Sequence, residues 1–442
     1  MASSLWEKDV AIGHLERSTP ASPPQKGHGP SLYSSDAASP HPSPAPKYFR
    51  SRRKAKGEID KPWLDKKDSR QKWLTIFPLM GLVIGFVLSG YLVYDGLASV
   101  ETPVYCTVYE DDFANGFDEK IWTKEVEVGG FGNGQFDETT STDENVFVKE
   151  GILTIKPTLQ DALLIETNNV INLTADGLCT GDDWKSCVVS TNTTNGTIVN
   201  PVKSARINTR KGASIQYGRV EVVAKMPEGD WLWPAIWMLP VRNTYGPWPM
   251  SGEIDIAESR GNNWSYPMGG NNIVSSTLHW GPDIVNDAWW RTNSRQNALH
   301  TTYSDGFHTY GLEWTPDHLY TYIDTRLMQV LYTKFKKPFW QRGNFPLSGN
   351  NGTSFVDPWS QTGSSDTPFD EAFFLIMNVA VGGTNGWFQD GKGGKPWVDQ
   401  SPTAKKDFWE AKEQWYPTWQ KNNEMQIKSV KMWQRKGYGA CR

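Results

Sequence analysis

The stretch SGEIDIAESRG, residues 251–261, brings three carboxylates into one short strand-forming segment: Glu253, Asp255 and Glu258. Successive side chains of a strand alternate faces, so Glu253 and Asp255 share a side with Ala257 while Glu258 points the other way. A single extra residue, a β-bulge, resets the alternation and returns Glu258 to the acidic side. Two strand steps of ~3.3 Å then separate the glutamate backbones by ~6–7 Å. Convergent side chains can narrow this to the ~5–5.5 Å between carboxyl groups that retaining glycoside hydrolysis requires. In that chemistry one carboxylate attacks the anomeric carbon and the other protonates the leaving oxygen. Neighbouring negative charge keeps the acid protonated, because like charges in a low dielectric resist simultaneous ionisation.

A solvated acidic face or a calcium loop also gathers carboxylates. Here Ile254 and Ile256 alternate with the acids, and the preceding GDWLWPAIWMLPVRNTYGPWPM carries Trp231, Trp233, Trp237 and Trp248. A solvated face has no need of those rings, and a calcium loop more often uses Asp and Asn with Gly. Indole faces suit the C–H faces of sugars, although each Trp serves equally well as a core filler.

The elements that must hold these residues are legible around them. YGRVEVVAKMP alternates Val220, Val222 and Ala224 against Arg219, Glu221 and Lys225, the period of a half-buried strand. NVFVKEGILTIKP reads as a hairpin turning near Glu150–Gly151, and HTYGLEWTPDHLYTYID as another turning at Thr315–Asp317. FFLIMNVAVGG, apolar on both faces, reads as an interior strand, and a short helix is expected near Ala404–Lys412. Many short strands with Gly and Pro turns predict an all-β sandwich or jelly roll.

Upstream the composition changes. Residues 1–46 are Ser- and Pro-rich without apolar periodicity and are expected to be a disordered tail. Residues 47–72 are dominated by Lys and Arg, and Leu74–Tyr94 carries no charge at all. That predicts a membrane-spanning helix over 73–94, with Trp73, Tyr91 and Tyr94 at the interfaces. The span begins too far into the chain for a cleaved signal peptide. The basic flank predicts a cytoplasmic N-terminus, a short stalk at 95–105 and a globular domain over 106–442 on the far side, a single-pass type II topology. The balance of 45 basic and 49 acidic side chains argues against a nucleic-acid partner. Membrane lipid is the partner expected for the helix, and nothing calls for an obligate protein partner.

Cys106, Cys179, Cys187 and Cys441 all follow the span, in a compartment where disulfides persist. Three pairings are available to four cysteines. Closure of Cys179 onto Cys187 within a Thr/Gly/Asp-rich loop is easy, and Cys106 with Cys441 would then join the first and last strands. No CxxC or His-rich spacing suggests a metal. Sequons at Asn172, Asn192, Asn195, Asn263 and Asn351 are candidate glycosylation sites, though the first hundred residues contain no Asn with which to compare them.

The runs YGRVEVVAKMPEGDWLWPAIWMLP and WPMSGEIDIAESRGN resemble the laminarinase-like branch of glycoside hydrolase family 16, which includes β-glucan-recognition proteins. FHTYGLEWTPDHLYTYID and FFLIMNVAVGGTNGWF resemble later strands of the same domain, so the likeness spans about 106–442. It implies a jelly roll of two curved antiparallel sheets and a β-glucan cleft. It further implies Glu253 as nucleophile, Glu258 as acid/base and Asp255 as the residue assisting the nucleophile. Trp233 and Trp237 match the cleft floor and His279 a position near the catalytic centre. Asn133, Arg206 and Trp387 match sugar-contacting positions, and Trp248 is a further candidate platform. After NGQF the chain reads DETT where members of the branch carry an aromatic, so the outermost glycone subsites are not carried over. No cofactor is implied. A structural calcium occurs on the convex face of some members, without ligands that can be assigned here. The layout suggests a fungal source.

These readings converge on a membrane-anchored retaining endo-β-glucanase for β-1,3- or mixed β-1,3/1,4-glucan. A wall-glucan transglycosylase would use the same residues with a sugar hydroxyl as acceptor. A glucan-binding receptor without turnover is the third reading, made less apt by the intact acids.

Overall fold

The computed structural model describes residues 51–66, 68–98, 103–346, 348–349, 352, 354–439 and 441. The 1–46 tail and Asn351 therefore lie outside the described residues. The chain divides into two units between Leu97 and Ala98.

The uncharged run forms a helix, Gln71–Ala98, of 28 residues. Its Gln71–Gly96 portion is long and apolar enough to cross a membrane. The helix exceeds the expected 73–94 at both ends, so 95–98, expected as stalk, continue it. Asp95 and a lone Gly96 do not stop a helix already propagating.

The second unit is a sandwich of two antiparallel eight-stranded sheets. One sheet runs Gln329–Lys334, His318–Ile323, His308–Trp314, Gly218–Lys225, Met425–Arg435, Ile152–Ile155, Val146–Lys149, and Tyr105–Asp111 also pairs with Met425–Arg435. The other runs Asn293–Asn297, Ile273–His279, Glu253–Ser259, Leu232–Pro240, Phe373–Val381, Arg206–Asn208, Thr123–Glu125, and Ser214–Ile215 sits beside Phe373–Val381. Both expected hairpins form, the first turning through positive φ at Glu150 (55°) and Gly151 (74°). The interior strand Phe373–Val381 is buried throughout, and the expected helix runs Ala404–Glu410. Both disulfides form as expected. Cys106–Cys441 ties the first strand to the segment after the last, and Cys179–Cys187 closes a local loop.

Residues from both sheets fill one core. On Leu232–Pro240, Leu232, Ile236 and Met238 are wholly buried, while Trp233, Ala235 and Trp237 take the opposite face. The neighbouring Glu253–Ser259 strand breaks this rule once. Its Asp255 pairs with Trp237 and Thr277 and its Glu258 with Ala235 and Ser275, so the register shifts between them. Three residues separate Asp255 from Glu258, yet both face outward, and Ile254 and Ala257 both face the core opposite Met238 and Ile236. This is the bulge that the carboxylate spacing demands, at Ile256.

The bulge is held from beneath. Ser276 Oγ, fully buried, donates to the Ile256 carbonyl (2.6 Å), and Thr321 Oγ of the opposite sheet donates to Ser276 Oγ (2.8 Å). The Leu331 N–H donates in turn to Thr321 Oγ (3.1 Å). A buried hydrogen-bond chain thus crosses the sandwich under the irregular residue. Ser276→Ala leaves the carbonyl and the threonine hydroxyl unpaired in the core, which costs about 1–3 kcal/mol. We expect that loss in denaturant unfolding. Unchanged stability would show that the bulge needs no such support.

Candidate active site

Glu253 opens its strand opposite His279, Asp255 follows opposite Thr277, and Glu258 follows the bulge opposite Ser275. One nitrogen of His279 lies 3.2 Å from Asp255 Oδ2 and the other 2.5 Å from Asp287 Oδ2. Burial opposes a charge on this ring, but hydrogen bonds to the two aspartates and the charge of Glu253 outweigh it, so the pKa stands well above 6.5. His279 is therefore an imidazolium set among carboxylates. Ligand atoms of Glu253, Asp255 and His279 lie within 4.8 Å of one another, a donor set of the kind that holds metal ions. Both imidazole nitrogens already face carboxylates, which suits a proton on each better than a metal.

Each glutamate receives an indole N–H. Trp248 Nε1 donates to Glu253 Oε2 (2.5 Å) and Trp233 Nε1 to Glu258 Oε1 (2.9 Å). All three carboxyl pKa values are raised. For Glu253 burial is the main cause and the Asp255 charge the next, opposed by His279 and Trp248. For Asp255 burial again leads, followed by the charge of Glu258. For Glu258 burial leads, opposed by His279 and the Trp233 hydrogen bond. One cation serving three buried acids leaves the set holding protons near neutral pH.

Trp233 stacks on Trp387 (4.8 Å, 12°), and the Arg260 guanidinium lies 3.9 Å from the Trp387 ring centre while donating to its carbonyl. Trp387 thus has a neighbour stacked on its ring and a cation over it. Its buried Nε1 has no hydrogen-bond partner among the described residues. Trp237 Nε1 donates to Asn378 Oδ1 (2.7 Å). The Arg206 guanidinium lies between Phe131 (4.1 Å) and Trp237 (4.7 Å) and pairs with Glu125. Asn133 accepts from Asn385 Nδ2 (3.0 Å), which ties it to the loop carrying Trp387. Of the ten site residues singled out from the sequence, seven lie on strands of this sheet, and Trp248, Trp387 and Asn133 join them from loops through Glu253, Trp233 and Asn385.

Sequence reasoning missed Asp287, Asn378, Asn385, Glu125 and Ser276. Each acts through a partner distant in the chain or in an irregular loop, where no spacing announces it. The DETT segment departs from the cleft for a physical reason. Asp137 is buried and its Oδ1 accepts the Val381 N–H (2.8 Å), so it supports the interior strand. Of the sequons, Asn192, Asn195 and Asn263 are exposed and Asn172 is half-buried.

The second unit is thus an antiparallel sandwich that carries three carboxylates and two indole donors on one outer face. Residues 160–365 match the model described as glycosyl hydrolases family 16. The chain is 38% identical over 370 residues to a beta-1,3-glucan-binding protein of Penaeus monodon, covering 79% of this chain and 98% of that protein. It is 38% identical over 189 residues to a glucan endo-1,3-beta-glucosidase of Cryptopygus antarcticus, covering 42% of this chain and 58% of that protein. The laminarinase from Rhodothermus marinus is a structural neighbour at 26% identity and a TM-score of 0.47, covering 76% of this chain and 99% of that one. The chain belongs to glycosyl hydrolase family 16.

The charge balance yields a stability test. The Glu253 carboxyl has a folded pKa above its ordinary 4.5. Between those values the unfolded chain releases a proton that the folded chain keeps, so stability falls as pH rises across that window. Glu253→Gln carries no such proton and still accepts from Trp248. Its melting temperature at pH 7 should exceed the parent's by about 2–4 °C, with the difference vanishing below pH 4.5. A constant offset at every pH would contradict the assignment.

Proposed function

We propose that this protein is a retaining endo-β-glucanase acting on β-1,3- or mixed β-1,3/1,4-glucan. The observation that carries the reading is the bulge at Ile256, which turns Glu253, Asp255 and Glu258 to one face. Glu253 holds a proton in the resting site, and the reactive form is the one from which that proton has left: an oxygen of ionised Glu253 then bonds to the anomeric carbon as the glycosidic C–O bond breaks. Glu258 delivers its proton to the leaving oxygen. In the second step Glu258 takes a proton from water, the resulting hydroxide attacks the same carbon, and Glu253 departs as carboxylate. The Trp233 N–H engages Glu258 Oε1, leaving the other oxygen to carry the transferable proton. The imidazolium of His279, fixed by Asp287, offsets the charge that Asp255 places beside the nucleophile. The Trp248 N–H orients Glu253 toward the sugar.

The likeness to the beta-1,3-glucan-binding protein of Penaeus monodon favours a second reading, glucan binding without turnover. Incubation of the full chain with laminarin, with the products sized, separates the readings. The glucanase reading expects shorter oligosaccharides, lost by at least about 10³-fold in Glu253→Gln and in Glu258→Gln. With an aryl glycoside whose leaving group needs no proton, Glu258→Gln should still release the aryl group while Glu253→Gln should not. Chains longer than the substrate would indicate transglycosylation, and retention of laminarin without cleavage by the parent would establish the binding reading.

The long apolar helix and the basic segment before it support anchorage as a type II membrane protein with the glucanase unit outside the cytoplasm. The same placement suits glycosylation at the exposed sequons Asn192, Asn195 and Asn263 and at Asn172.

A further inference from the structure

A cavity of about 440 Å³ adjoins the Asn133 end of the site, a size common for small-molecule sites. Two of its wall residues, Gly134 and Thr384, directly follow or precede Asn133 and Asn385, the pair bonded across that end of the cleft. The facing wall comes from Trp184, inside the loop that the Cys179–Cys187 disulfide closes, and from Val189, Ser190 and Thr197 just beyond it. This segment is fastened to the loop leading to Asn133. The Val128 N–H donates to the Ser186 carbonyl (2.8 Å), and a Cβ on Gly129 would fall 2.9 Å from Ser186 Cα. The cavity thus lies beside the Asn133–Asn385 contact and is framed by fixed backbone.

Its chemistry is that of a neutral sugar. Trp184 leaves 71% of its surface in solvent, so its indole face is open to a sugar ring. Ser190, Thr197 and Thr384 set hydroxyls around it. The two lysines of the wall are both engaged within the chain: Lys405 Nζ donates to Asn200 Oδ1 (3.0 Å), and Lys406 pairs with Glu410 (3.5 Å). Both ammonium groups are thus turned to partners within the chain.

We propose that the Trp184 cavity is an outlying subsite that takes one or two glucosyl units of the same β-glucan, beyond the Asn133 end of the cleft. The proposal rests on the reading of the cleft as a β-glucan site. The Glu253–Glu258 chemistry does not require the cavity, so its contribution is confined to longer chains.

The test uses the full chain in detergent carrying Glu258→Gln, so that oligosaccharides are not consumed. Titration calorimetry with a ladder of laminari-oligosaccharides reads affinity against chain length. The parent should gain affinity at the lengths that reach past Asn133. Adding Trp184→Ala should remove that gain, a loss of about five- to tenfold, while leaving shorter oligosaccharides unchanged. Ser190→Trp, which fills the cavity from an exposed strand end, should do the same without removing the indole. Equal affinities of parent and variants along the whole ladder would overturn the subsite and leave the cleft reading intact. A length gain that emerges only after enzymatic removal of N-glycans would also overturn it, since a glycan at Asn192 or Asn195 would then be the cavity's occupant. No binding at any length by the parent would overturn both readings together.

Discussion

A strand has a period of two, and the two glutamates of this site are an odd number of residues apart. Without an irregularity, one faces substrate and the other is driven into the core. The extra residue at Ile256 removes that conflict at the cost of one broken step in the ladder. The cost is offset by Ser276 and Thr321, which satisfy the displaced carbonyl through the opposite sheet. The carboxylate geometry is consequently a property of the whole sandwich, because the chain that supports the bulge begins on the strand Gln329–Lys334 at Leu331.

Electrostatics completes what the backbone begins. Three buried carboxyls on one face repel one another, and a single imidazolium clamped by Asp255 and Asp287 partly compensates. Such an arrangement favours partial protonation over full ionisation, which is the condition for one acid and one nucleophile to coexist. The tryptophans contribute differently from the sugar platforms their number suggests. Trp248 and Trp233 act through indole N–H donors to the two glutamates, while the Trp387 ring is occupied by Trp233 and Arg260.

Much of this was readable from the residues because it is local. The alternation of Val220, Val222 and Ala224 marked a strand, and Glu150–Gly151 marked a turn that adopts positive φ. The odd spacing of Glu253 and Glu258 by itself requires a bulge if both are to share a face. What escaped is non-local. Asp287 reaches His279 from a loop, Asn385 reaches Asn133 across 252 residues, and Thr321 lies in the other sheet. Helix ends were misjudged as well: nothing between Asp95 and Ala98 opposes continuation, so the stalk expected there is helical. Family resemblance supplied roles for Arg206 and Trp387, yet their packing against Glu125, Phe131 and Arg260 could be found only in three dimensions.

The central claim is that Glu253 and Glu258 meet one sugar from the same face, with Glu253 forming the covalent bond. The most direct measurement is mass spectrometry of the full chain after incubation with a 2-deoxy-2-fluoro glucan oligosaccharide bearing an activated leaving group. Fluorine slows both steps and the leaving group restores the first, so a covalent adduct accumulates. The account predicts one glycosyl unit per chain, attached to a peptide that contains Glu253. An unlabelled chain, or a label on any other residue, would contradict it.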